Sequence, residues 1–235
     1  MKISSSAENY AWRQLAKRAG LAVSKDEGTG FEDAGISVFY GQPQARTSTS
    51  PALIISRASE SDWSALLRME KNSLRRMSAQ ETVPAGAKLP FENSVPVLFW
   101  GQGIEKDQKP FAEIQPDGAL VIYADLLAST LFMLTRWEEI VQPERDSHAR
   151  FPSAKSAAVQ QGFLDIPLID QYALILREWL KVLLPEYPFK KHVFQVKITH
   201  DIDKVRRYAD LPSFVWQVAQ GLGKKPARSK LAFQF

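Results

Sequence analysis

The run Thr199-His200-Asp201-Ile202-Asp203 holds the residues best suited to chemistry. Two aspartates at i and i+2 lie on one side of an extended chain. Held close, the two carboxylates repel, so one stays protonated or the pair takes a cation. Such a pair suits a divalent metal, with one carboxylate as ligand and the other as general base. The preceding Val193-Phe194-Gln195-Val196-Lys197-Ile198 alternates apolar and polar residues and predicts a strand. The C-terminal edge of a parallel strand is where α/β folds place their active sites. The same five residues also suit a turn and helix cap after a strand. His200 points away from Thr199 and Asp201 on an extended chain, so Thr199 and His200 are read as support for the strand end.

A second group is Glu139, Arg145, Asp146, His148 and Arg150. All but Glu139 fall in a connection, residues 143–167, too long for a simple turn. Such a connection is normally disordered or functional. One reading is a structural network of ion pairs among Glu139, Arg145, Asp146 and Arg150. The other is a sugar- or partner-binding loop, since charged residues in long loops often carry function. His148 reads as a surface histidine, and His192 as a solvated one ahead of the strand.

Several elements must position these groups. A helix is expected over 7–19, with Ser5 or Ser6 as cap, Glu8 in its first turn and Gly20 at its end. Strands are expected at 35–41, 52–56, 95–101 and 119–123, with a loop from Gln42 to Pro51. The sequence suggests a helix in 60–77 and irregular chain over 78–94. A long helix is predicted over 125–142. Asp125 is its N-cap and Leu127, Thr130, Leu131, Leu134, Trp137 and Val141 form one stripe. Pro143 ends it. Another helix is expected over 168–184, burying Ile169, Tyr172, Ala173, Leu176, Trp179, Leu180, Leu183 and Leu184. A last helix is expected over 211–222. Alternating strands and helices give an α/β class with a mixed or mostly parallel sheet.

The chain has 235 residues, no cysteine and a net charge of +4. Zero cysteine excludes disulfides, thiolate metal sites and a cysteine nucleophile. No apolar stretch is long enough to span a membrane and no signal-peptide pattern opens the chain, so a cytoplasmic protein is expected. The charge is divided unevenly. Residues 190–235 hold ten basic and three acidic residues, while the rest of the chain is slightly acidic. The expected organisation is therefore an N-terminal domain over 1–189 and a basic second piece over 190–235. The tail from Lys224 to Lys230 is the only feature pointing to nucleic acid, which is not the expected partner. A missing domain remainder accounts better for the basic piece, and a homo-oligomer is a separate expected partner.

Val196-Lys197-Ile198-Thr199-His200-Asp201-Ile202-Asp203 resembles the opening strand of the polysaccharide deacetylases, the NodB-type metal-dependent carbohydrate esterases. Three earlier blocks resemble the uncharacterised domain upstream of that catalytic domain. They are Phe132–Glu139, Pro143–Phe151 and Gly162–Pro167. The resemblance implies hydrolysis of N-acetyl groups on a glycan, with Asp201 as base and Asp203 as ligand of zinc or a similar divalent metal. It also implies that residues 190–235 form the first strand and helix of an incomplete (β/α) barrel. Adjacent aspartates are the commoner form of the motif, and Ile202 separates them here. The His-x-x-x-His pair that completes the metal site in the family has no counterpart, because His148, His192 and His200 lack that spacing. The expectation is a deacetylase-related chain without activity of its own. The alternative is a non-catalytic module that binds carbohydrate or protein. Phosphoryl transfer through Asp-x-Asp fits less well, because Lys204-Val205 follows the pair.

Overall fold

The structure is a computed structural model. It describes residues 5–22, 35–41, 51–104, 109–191, 193 and 195–199, and also Pro212, Phe214, Val215, Trp216 and Ala219. The chain divides into two compact units, Met1–His192 and Val193–Phe235.

The first unit is built on a four-stranded sheet in the order β1-β2-β6-β5. Strands β1 (Ser37–Tyr40), β2 (Ala52–Ile55) and β6 (Leu120–Ile122) run parallel, and β5 (Ala112–Ile114) is antiparallel to β6. The register pairs Val38 with Leu53 and Leu53 with Leu120. Leu53, Ile55, Leu120 and Ile122 are fully buried, as expected of strands covered by helices. Two short strands, β3 (Arg76–Met77) and β4 (Val95–Pro96), form a separate antiparallel pair.

Helix α1 (Ser5–Ala19) packs against α3 (Leu126–Leu134) and α6 (Leu168–Leu183). Residues Leu126 to Phe132 are all buried, and a helix apolar on all sides belongs in the interior. Its Ser129 and Thr130 hydroxyls donate to the carbonyls of Asp125 and Leu126, each at 2.7 Å, which satisfies both donors inside the helix. Helix α6 follows the amphipathic pattern. Tyr172, Ala173, Leu176 and Leu180 are fully buried, and the Tyr172 hydroxyl donates to the Pro96 carbonyl at 2.6 Å. Arg18 of α1 reaches Asp170 of α6 at 3.1 Å.

Several expectations are corrected. The helix over 125–142 is broken. Helix α3 ends at Leu134, and α4 (Trp137–Val141) starts anew after Arg136, which adopts a left-handed φ of 53°. The kink turns Trp137 into an aromatic cluster, 5.1 Å from the Trp63 ring and 5.8 Å from the Phe132 ring. In 60–77 only α2 (Glu60–Leu66) is helical. The chain then turns through Asn72, whose φ is 59°. The strand expected over 95–101 is confined to Val95–Pro96. Beyond it, Phe99 and Trp100 run beside the residues after β6. The Asp125 amide donates to the Phe99 carbonyl at 2.9 Å, and Trp100 bridges Ala124.

In the second unit, Val193 and residues 195–199 lie outside any strand, which corrects the strand expected over 193–198. A strand persists only where a neighbour takes its backbone hydrogen bonds. Val193, Val196 and Ile198 are instead 76%, 69% and 83% exposed. Pro212, Phe214 to Trp216 and Ala219 are helical, within the predicted helix. Among the described residues no helix is long and apolar enough to cross a membrane.

Candidate functional site

The C-terminal ends of the three parallel strands bring four polar side chains together. Tyr40 ends β1, Arg57 follows β2, Asp125 follows β6, and Glu8 comes from α1. This is the edge where open α/β sheets bind ligands.

Asp125 is fully buried. Its Oδ1 accepts the Ala128 amide at 2.8 Å, capping α3 as the sequence predicts. Its Oδ2 accepts the Ala58 amide at 2.7 Å and the Tyr40 hydroxyl at 2.8 Å. Burial pushes its pKa up to about 6, against the pull of those three hydrogen bonds and of Arg57. Burial and the neighbouring carboxylate push the Tyr40 phenol up as well. Three protein donors converge on the carboxylate, which makes it an anchor for β1, the chain after β2 and α3. Arg57 is partly exposed, more so than its ion-pair partner Glu8. Its guanidinium lies 4.9 Å from the Tyr40 ring centroid and 3.1 Å from Glu8.

A close backbone approach shapes the same edge. The Gln102 amide donates to the Arg57 carbonyl at 2.7 Å. A Cβ on Gly101 would lie 2.3 Å from Ser56 Cβ, so only glycine lets residues 100–103 cross here. Sequence reasoning named Asp125 as a cap but missed Tyr40 and Arg57. Those partners lie 85 and 68 positions away in the chain, and no local signal joins them.

The second predicted group is real as a cluster and structural in its bonding. Arg145 donates to the backbone carbonyls of Glu139 at 2.8 Å, Gln142 at 2.7 Å and Glu144 at 2.6 Å. Arg136 pairs with the Glu139 carboxylate, and its hydrogen bonds hold that carboxyl below its usual range. Asp146 Oδ1 accepts the amides of His148 at 2.8 Å and Arg150 at 2.9 Å, and its Oδ2 lies 3.2 Å from Arg150 Nε. The Arg150 amide leads the bonds that lower the Asp146 pKa. Glu138 closes the segment onto α5 (Ala157–Gln160), accepting from Ser156 Oγ at 2.9 Å and the Ala157 amide at 2.7 Å. Lys155 and Glu144 pair at 3.0 Å. The long connection is thus a bonded loop presenting exposed His148 and Arg150, with Ala149 between them at φ 58°.

Residues 36–185 match the model of a family of unknown function, DUF7033. The chain belongs to the DUF7033 family. The matched region runs from the start of β1 to the end of α6, so Tyr40, Arg57, Asp125 and the 136–157 loop all lie within it. No curated protein and no solved structure matches the chain.

The Thr199–Asp203 run follows the DUF7033 region. Thr199 is exposed and outside regular structure, whereas His200, Asp201 and Asp203 lie outside the described residues. Among the described residues no group of three or more histidines and carboxylates is placed to hold a metal ion. Asp201 and Asp203, the base and the metal ligand that the resemblance implies, are not among those residues.

Proposed function

We propose that this chain is a polysaccharide-deacetylase-related protein whose DUF7033 unit is an accessory module that binds a glycan. The observation that carries the reading is the order of sequence blocks. Phe132–Glu139, Pro143–Phe151 and Gly162–Pro167 precede a Thr-His-Asp-x-Asp run at Thr199–Asp203. In this reading Asp201 is the base and Asp203 the metal ligand of a complete relative, and the chain is not catalytically competent alone.

The bonded loop supports the binding role. Its backbone is fixed by Arg145, Asp146 and Glu138, and it offers His148 and Arg150 to solvent. A preorganised polar loop loses little entropy on binding a polar ligand. Glycan-array binding by the 235-residue protein tests it. Selective binding of N-acetylated glycans, weakened at least about ten-fold by His148→Ala with Arg150→Ala, is expected. Absence of binding across the array overturns the accessory role. Arg145 is left intact, since its three backbone bonds hold the loop. Metal-dependent release of acetate from acetylated chitooligosaccharide would overturn the non-catalytic part of the reading.

A further inference from the structure

The geometry points to Asp125 as a proton-responsive clasp that joins the exits of β1 and β2 to the start of α3. Three elements depart from this edge, and one carboxylate holds all three through Tyr40, Ala58 and Ala128. The carboxylate is acceptor-only while ionised. A proton turns one oxygen into a donor, which must then find an acceptor of its own. Among the three groups bonded to the carboxylate, the Tyr40 oxygen alone can accept. Protonation therefore reverses the Tyr40 hydrogen bond and removes the buried charge, so acidification favours the clasped state over one opened to solvent. The effect reaches the surface, because Arg57 precedes Ala58 and lies over the Tyr40 ring.

The surroundings set where this happens. Arg57 after β2 favours the carboxylate, and Glu8 of α1 offsets Arg57 through their ion pair. Tyr40 of β1 stabilises the ionised form by its hydrogen bond. Tyr172 of α6 faces the same carboxylate and stays neutral, its phenol pushed up by burial and by Asp125. Helix α3 and the Val97–Trp100 stretch add no charged residue. Burial outweighs these influences and pushes the Asp125 pKa up to about 6.

Hydrogen exchange of the full chain at about pH 7.5 and about pH 5, corrected for intrinsic rates, tests the clasp. The amides of Ala58 and Ala128 should gain several-fold protection on acidification, up to about ten-fold, while those of Leu53 and Ile122 change less. Asp125→Asn should show the acid pattern at both pH values. Tyr40→Phe, a milder change, should move the acid transition to higher pH, because it removes a bond that favours the ionised form. Equal protection of Ala58 and Ala128 at both pH values would overturn the proposal. So would a Tyr40→Phe protein with an unchanged midpoint.

Discussion

Asp125 has two roles with opposite energetic signs. As a bond acceptor it is stabilising. Asp125→Ala leaves the Ala58 and Ala128 amides and the Tyr40 hydroxyl without their partner, and a buried orphan donor costs about 1–3 kcal/mol. Denaturant unfolding of this variant near neutral pH should show a loss of about 3 kcal/mol. As a buried charge it is destabilising. Its folded pKa of about 6 exceeds the ordinary 3.8, so between these values the folded state holds a proton that the unfolded state lacks. This contribution to stability is fully present below about pH 4 and is lost as pH rises through about 6. Glu113 works the other way. The Tyr123 hydroxyl hydrogen bond lowers its pKa, so its contribution is present above the ordinary glutamate range and fades as pH falls.

At the scale of elements, two junctions decide how the site is assembled. Residues 100–103 cross the strand ends only because position 101 lacks a side chain. Gly101→Ala would place a Cβ 2.3 Å from Ser56 Cβ, and the forced shift should cost about 1–3 kcal/mol in thermal or denaturant unfolding. Adding Ser56→Gly removes the clashing atom and should recover part of that loss. The second junction is Arg136. A left-handed non-glycine residue costs about 1–2 kcal/mol. Here it is offset by seating Trp137 against Trp63 and Phe132 and by the Glu139 pair. Trp137→Ala should destabilise by about 2 kcal/mol, less than a fully buried tryptophan, because the ring is half-buried. It should also raise protease sensitivity in the loop that Glu138 pins to α5, as read by mass spectrometry of limited digests.

At the scale of the molecule, the two units differ in how their apolar residues are covered. The first buries a continuous core from Trp12 to Leu180. In the second, Val193, Val196, Ile198, Val215 and Trp216 are all more than half exposed. Limited proteolysis of the intact chain should cut first within residues 193–199, where exposed chain lacks regular structure. It should leave a stable product ending near residue 192. First cleavage inside β2 or α6 would contradict this division.

Local signals made much of the first unit legible. Glycine and proline punctuation and apolar period marked α1, β1, β2, β6 and α6, and hence the α/β class. The cap at Asp125 was legible because a capping side chain acts three residues away. The break at Arg136 was not, because Thr135-Arg136-Trp137 holds neither glycine nor proline and the stripe runs on through it. Packing of Trp137 outweighed helical continuity there. The sequence by itself determined which segments could form helices and strands, and which residue types stood ready for chemistry. Only the tertiary structure decided that Tyr40, Arg57, Asp125 and Glu8 meet, and that the Glu139–Arg150 charges hold their own backbone. Those pairings depend on sheet order and helix packing, which bring together residues that no local spacing relates.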